Sequence, residues 1–64
     1  MTNKYMVIIT AVDEDDLVDP CTHSGVQSID DFTTMLQIKE EAITQANDDG
    51  MHVDLIQGMT IVLL

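Results

Sequence analysis

An amphipathic segment between residues 28 and 48 places the strongest constraint on how this chain can fold. At about 100° per residue, one half of its helical wheel is largely apolar, formed by Ile29, Phe32, Met35, Leu36, Ile38, Ala42, Ile43 and Ala46. Ser28 is a good N-cap, and Gly50 is a good C-terminal stop. The segment therefore predicts one helix that buries its apolar face against another element. Lys39 interrupts that face, so its side chain must either extend along the rim of the interface or meet a carboxylate.

The segments on either side of this helix have the composition of β-strands. Residues 4–12 are rich in Val, Ile, Tyr and Thr, and both alternating sets of side chains are largely apolar. Residues 51–56 alternate between apolar and polar, and residues 59–64 are apolar on both faces. Gln57 and Gly58 between them suit a two-residue turn. The last two segments therefore predict a β-hairpin.

The order of these elements predicts a single small α+β domain over residues 1–64. Residues 13–27 show no sustained period and contain Pro20 and Gly25, so they predict a long acidic loop. The resulting order is β-α-β-β, with a right-handed crossover between the first two strands. The last strand then fits between them, antiparallel to both, which gives a three-stranded sheet of order 1-3-2 with one amphipathic helix on one face.

One helix leaves the second face of such a sheet without cover. Alternation places an apolar patch there, consisting of Met6, Ile8, Ile56, Val62 and Leu64. A chain of 64 residues with one cysteine cannot form an internal disulfide, so its stability is marginal without further burial. The patch therefore predicts a homodimer or a partner interface. The alternative is that the acidic loop folds over this face, with Leu17, Val18 and Val26 as plugs.

The charge balance limits the kinds of partner. The chain has twelve acidic residues, two Lys and no Arg, for a formal net charge of −10. Nucleic acid and anionic membranes are excluded as direct partners, because both require basic side chains. A hydrophobic content of 45 % argues against disorder. The N-terminal residues do not resemble a secretory signal, and no apolar run approaches the length of a membrane span, so we expect a cytoplasmic protein.

The acidic residues and their neighbours can be tested for the patterns of a metal site, a catalytic site and a phosphate-binding loop. The run from Asp13 to Asp19 offers oxygen ligands, but it fails the EF-hand pattern because it lacks the turn glycine and has Ser24 at the twelfth position. Cys21 and His23 lie two residues apart without an oxyanion-hole motif. The glycines are scattered and form no phosphate-binding loop. We expect no enzymatic activity, no metal site and no cofactor.

The remaining interpretation is electrostatic. The leading hypothesis is a small acidic binding protein that inhibits a nucleic-acid-binding protein or complex by occupying its basic surface, as a DNA mimic would. Phages use proteins of this size and charge against restriction, CRISPR or transcription machinery, which would place the chain in the host cytoplasm. The alternatives are a homodimeric structural or regulatory module that binds through its apolar sheet face and, more weakly, a divalent-cation-binding module. The acidic residues predicted to bind the partner are Asp13, Glu14, Asp15, Asp16, Asp19, Asp30, Glu40, Glu41 and Asp48.

Overall fold

The computed structural model describes residues 2–64 and contains a three-stranded sheet with one helix. Strand β1 spans Asn3–Asp13, strand β2 spans Asp16–Ile29, helix α1 spans Met35–Asp48 and strand β3 spans Leu55–Leu63. Both strand pairs are antiparallel, and the order in the sheet is β2-β1-β3. The predicted α+β class, with a three-stranded sheet and one helix, is confirmed.

Strand β2 takes the place of the predicted acidic loop at residues 13–27. It pairs with β1 in an unbroken register from Asn3 opposite Ile29 to Ala11 opposite Cys21. Ser, Gly, Gln and His have little preference for strands, and here the hydrogen bonds of an apolar neighbour decide the conformation. The second strand therefore precedes the helix and is joined to the first by a tight turn. The predicted sheet order 1-3-2 is wrong, because β1 is paired on both sides and is central.

Strand β3 is continuous through the predicted hairpin turn. Thr10 lies opposite Gly58, whereas Ala11 lies opposite Ile56, so Gln57 is the extra residue of a β-bulge. A glycine within a strand pattern can mark a bulge as well as a turn. The predicted antiparallel pairing of the first and last strands is confirmed over residues 5–9 and 59–63.

The helix begins six residues later than the sequence pattern suggests. Thr34 is the N-cap: its side chain accepts from the N–H of Gln37 at 3.2 Å, and the Gln37 side chain accepts from the N–H of Thr34 at 2.9 Å. This reciprocal pair is a capping box. The expected N-cap, Ser28, lies in β2 instead, because pairing with β1 continues as far as Ile29.

The predicted C-terminal stop is confirmed. Gly50 has a φ of 95°, the left-handed region in which glycine has no Cβ penalty. Its N–H donates to Asn47 O at 3.0 Å, and the N–H of Met51 donates to Ala46 O at 3.1 Å. These two bonds form a Schellman motif that satisfies the last carbonyls of the helix.

The core lies between α1 and the central strand. From the sheet it contains Val7, Ile9 and Ala11, which alternate along one face of β1. The other buried members of this cluster are Ile38, Ala42, Ala46 and Val53. The helix side chains recur every four residues, and two of them are alanines, so the helix rests on the sheet along a narrow stripe. The free energy gained from burying so few large side chains is small.

Because the stripe is narrow, much of the predicted apolar half of the helix is exposed. Phe32 precedes the helix and is 90 % exposed, and Leu36 is 64 % exposed. Lys39 is exposed at the rim of a groove between α1 and β3, where Ile43 lies half-buried. Within residues 2–64, α1 is too short and too polar to cross a membrane.

Helix α1 meets β2 through polar contacts. The side chain of Gln27 is buried and donates to Ile38 O at 3.0 Å. From the helix, Gln45 Nε2 donates to Val26 O at 3.0 Å. The Gln45 amide lies directly above Gly25, in the space that a Cβ would occupy. A glycine at this position therefore allows the helix to approach the edge strand.

The N-cap can be tested by comparing two alanine substitutions. Thr34→Ala removes one half of the capping box and is expected to lower the free energy of unfolding by about 1 kcal/mol. Ser28→Ala changes an exposed side chain of β2 and should alter it by less than about 0.5 kcal/mol. Urea denaturation of both variants measures the difference. A larger loss of unfolding free energy for Ser28→Ala than for Thr34→Ala would instead support Ser28 as the N-cap, as the sequence pattern predicts.

The close approach at Gly25 predicts unequal effects of two glycine substitutions. Gly25→Ala displaces the Gln45 side chain and breaks its hydrogen bond to Val26, so the free energy of unfolding should fall by about 1–2 kcal/mol. A Cβ added at Gly58 meets nothing within 4 Å, so Gly58→Ala should be neutral or slightly stabilising. Equal losses in urea denaturation would contradict the contact with Gln45.

Candidate functional site

The acidic run forms the tight turn that joins β1 to β2. Glu14 and Asp15 lie at the turn, and Asp13 and Asp16 are the last paired residues on either side of it. The N–H of Asp15 donates to Asp13 Oδ1 at 2.9 Å, and that of Val18 donates to Asp16 Oδ1 at 3.3 Å. The run therefore caps its own turn, as Asp side chains often do. Four carboxylates are held at one end of the hairpin.

Asp54 is a fifth member of this cluster and was not predicted. Its Oδ1 accepts from the N–H of Glu14 at 2.8 Å, and its own N–H donates to Val12 O at 3.0 Å. The contact joins residues 40 positions apart, so no local sequence signal could have revealed it. A shallow cleft at this end is lined by Asp13, Asn47, His52, Val53 and Asp54. We define the acidic tip as Asp13, Glu14, Asp15, Asp16 and Asp54.

Asp19 lies beside the acidic tip in an irregular part of β2. Between Asp13 opposite Asp16 and Ala11 opposite Cys21, four residues of β2 face a single residue of β1. Asp19 is exposed within this bulge, and so are Leu17 and Val18, the latter at 82 %. The alternative in which the acidic loop plugs the open sheet face is therefore wrong for Leu17 and Val18, whereas Val26 does lie on that face, opposite Met6, and is 45 % exposed. Backbone pairing of the hairpin holds this segment at the sheet edge.

The end of the helix carries two further carboxylates and is joined to the acidic tip through Asn47. Asn47 and Val53 exchange two hydrogen bonds of 3.0 Å, which turn the chain from the helix towards the tip. Asp48 is exposed in the last turn, and Asp49 Oδ2 lies 2.6 Å from His23 Nε2 on β2. The C-terminus of a helix favours cations, but no basic residue lies in this last turn. The acidic residues are therefore placed here against the preference of the helix dipole.

Glu40 and Glu41 continue the acidic surface along the helix. Both side chains are exposed in the middle of α1, as the wheel predicts. They line an open groove beside β2 together with Thr33, Gln37, Thr44, Gln45 and residues 26–28. The acidic side chains thus extend from the tip along the outer side of the helix.

Asp30 lies at the opposite end of the sheet from the acidic tip. It follows Ile29, which pairs with the first residue of β1, whereas Asp13 is the last residue of that strand. An extended strand of 11 residues spans about 35 Å, several times the Debye length of about 8 Å at physiological salt. Asp30 and the tip therefore do not act as one local cluster. The body measures 38 × 19 × 18 Å, and acidic residues lie along its whole length.

Asp30 has a structural role in the turn before the helix. Its carboxylate accepts from the N–H of Phe32 at 2.9 Å and from the hydroxyl of Thr33 at 3.0 Å. The Phe32 N–H, followed by the Thr33 hydroxyl, holds the pKa of this carboxyl below its ordinary value of 3.8. Asp31 precedes the helix as well, so neither carboxylate lies in the first helical turn.

The second sheet face carries most of the predicted apolar patch. Met6 lies opposite Val62 and Val26, Ile8 is half-buried nearby, and Leu64 follows β3 beside Lys4. Ile56 does not belong to this patch. The bulge at Gln57 turns its side chain to the helix side, where it packs against the core.

The residues considered for catalysis have other contacts. Cys21 is exposed, and its Sγ lies 3.8 Å from Asp19 O. His23 is engaged by Asp49 and is 11 % exposed. Among residues 2–64, no three His, Cys, Asp or Glu side chains are grouped as a metal ion would require.

Comparison of the chain with protein-family models, with curated proteins and with solved structures gives no significant match. The interpretation of the acidic surface therefore depends on its geometry and its charge.

The hydrogen bonds of Asp30 predict a measurable pKa change. Thr33→Val removes the hydroxyl donor, so the pKa of Asp30 should rise towards 3.8 in an NMR titration of its carboxyl carbon. A carboxyl with a lowered folded-state pKa stabilises the fold above pH 3.8, and this contribution is lost as the pH falls through the folded-state pKa. Thr44→Val is the matched control, because that hydroxyl donates to Glu40 O. Equal pKa changes in the two variants would contradict the assignment.

Proposed function

We propose that this protein is a small, non-enzymatic binding protein whose carboxylates occupy the basic, nucleic-acid-binding surface of a target protein. The observation that carries the proposal is the placement of the acidic residues: a turn with fixed carboxylates at one end, and further acids along an elongated body. Nucleic acid and anionic membranes would both be repelled by a protein with a net charge of −10. A basic protein surface would be attracted to it.

The dimensions are compatible with the space that a short duplex would fill. A body 38 Å long matches about 11 base pairs at 3.4 Å each. Such a duplex carries roughly 22 phosphates, of which a protein bound to one side faces about half. The twelve acidic residues of this chain are of the same order. The protein would therefore offer a target groove a comparable number of negative charges.

The energetic benefit of such a surface lies in both association rate and specificity. Complementary charge steers diffusional encounter and can raise association rate constants to about 10⁸–10⁹ M⁻¹s⁻¹ at low salt. Holding the carboxylates in a hydrogen-bonded turn reduces the entropy lost on binding. An inhibitor of a restriction, CRISPR, repair or transcription protein would use these properties, and phage-encoded proteins are the class in which we expect them.

The proposal predicts binding that depends on salt and competes with nucleic acid. The tagged protein is used to capture partners from lysate of its source cells, and the captured protein is then titrated in pure form. Affinity should fall steeply between about 50 and 200 mM salt, and duplex DNA or RNA should displace the protein. An affinity that does not change with salt, together with no displacement by nucleic acid, would overturn the proposal.

Charge neutralisation at the acidic tip and at the neighbouring Asp19 provides the matching mutational test. Glu14→Gln, Asp15→Asn and Asp19→Asn together leave the capping carboxylates in place and should weaken binding about tenfold, or 1.4 kcal/mol. The charge-preserving triple variant Glu14→Asp, Asp15→Glu and Asp19→Glu should stay within about threefold. If neutralisation has no effect and Val62→Asp abolishes binding, the apolar sheet face is the binding surface instead.

A further inference from the structure

The two edges of the sheet differ in how well they are protected. Strand β2 carries Asp16, Asp19 and Pro20 at one end, is interrupted by a bulge, and receives a hydrogen bond from helix α1 through Gln45. Charges, proline and bulges are the devices that prevent an edge strand from pairing with another chain. In the described part of the chain, strand β3 is neighboured only by β1, and its nine residues include no charged residue and no proline. Its outer backbone groups are open to another strand.

An apolar groove runs along the same edge. It lies between α1 and β3, has a volume of about 600 Å³ and is lined by Leu36, Lys39, Glu40, Ile43, Thr44, Asp54, Leu55 and Ile56. The groove exists because the helix leans towards β2 and covers β3 only in part, where Ile56, Met59 and Ile61 are half-buried against the core. Leu36 is 64 % exposed on one side of it, and Leu63, on β3, is 61 % exposed. The strand edge carries no charge, and the three charged residues of the groove, Lys39, Glu40 and Asp54, sum to a charge of only −1.

We propose that β3 pairs antiparallel with β3 of a second copy of this chain, which produces a six-stranded sheet. Antiparallel pairing of identical strands requires a two-fold axis perpendicular to the sheet. That axis keeps both helices on the same face. The groove of each copy therefore opens towards the helix of the other copy, over the shared seam.

The two helices would flank this seam. Each helix packs on β1 and leans towards β2, and the two β1 strands would lie three strand spacings apart, about 14 Å, so the helix axes are at least this far apart. A helix with its side chains is about 10–12 Å wide, so the two helices leave a channel over the seam, bordered by the side chains that line the two grooves. A stable dimer buries about 800 Å² per partner, which is about a fifth of the 4339 Å² surface of this chain.

The charge distribution also favours a second copy at this edge. Two chains of charge −10 repel each other, and the repulsion is weakest where the charges are fewest. The groove holds Lys39, one of the two lysines, beside Glu40 and Asp54. The antiparallel arrangement directs the acidic tips to opposite ends of the dimer, so both stay available to a partner.

Analytical ultracentrifugation of the full chain at about 1 to 100 µM tests the proposal. We expect a mass twice the 7.1 kDa of one chain. Leu36→Glu and Leu63→Glu each place a charge on the proposed surface and should weaken the dimer at least tenfold. Val18→Glu adds the same charge to an 82 % exposed position on β2 and should leave the dimer within about threefold of its original affinity.

Hydrogen exchange of the unmodified chain tests the dimer without any substitution that could disturb folding. Dilution from about 100 to 1 µM should accelerate exchange of β3 amides but not of β2 amides. A single-chain mass at every concentration would overturn the proposal and leave the edge to a strand of another protein. A dimer that resists Leu36→Glu and Leu63→Glu but dissociates with Val62→Glu would also overturn it, because Val62 lies on the open sheet face.

Discussion

Strand β1 is the element on which the rest of this structure depends. Of the three strands within residues 2–64, it alone is hydrogen-bonded on both sides, and its alternate residues Val7, Ile9 and Ala11 form the floor of the core. The helix reaches that floor through Ala42 and Ala46, whose small side chains permit close packing. Strands β2 and β3 both take their register from pairing with β1. A disturbance of this strand would therefore affect the sheet and the helix interface together.

The features that could be predicted from the sequence are those set by local interactions. The apolar strand at 4–12 and the glycine stop at Gly50 depend on composition and backbone conformation, so both could be predicted. Strand β2 could not, because its Ser, Gly and Gln residues become a strand only by pairing with β1. The helix start was ambiguous for a different reason: Ser28 and Thr34 are both competent N-caps, and only the length of the β1–β2 pairing selects Thr34.

The candidate site shows the same division between local and non-local information. The carboxylates of the turn stand together in the sequence and could be predicted as a cluster. Asp54 could not, because it reaches the cluster only through the fold. Ile56 was assigned to the wrong sheet face because one bulge residue, Gln57, reverses the alternation beyond it. A register error of one residue changes the predicted composition of both faces.

The acidic residues divide into two groups with different physical roles. Asp13, Asp16, Asp30 and Asp54 each accept a backbone N–H and so stabilise turns. Glu40, Glu41 and Asp48 on the outer surface of the helix add repulsion without such a role in a turn, and Asp48 also opposes the helix dipole. A small core has little free energy to spare for repulsion of this kind. Charge placed against local stability is easier to understand where a binding surface requires it.

The contrast between charged and uncharged regions links the acidic surface to the open edge. A sheet with two unprotected edges could pair at both and grow into a fibre, whereas one protected edge limits pairing to a closed dimer. In this chain the acidic residues and Pro20 of β2 protect one edge, while β3 carries no charge at all. The carboxylates would then serve two purposes: they restrict self-association to β3, and they form the surface offered to a basic partner. The distribution of charge between the two edges therefore matters as much as the net charge.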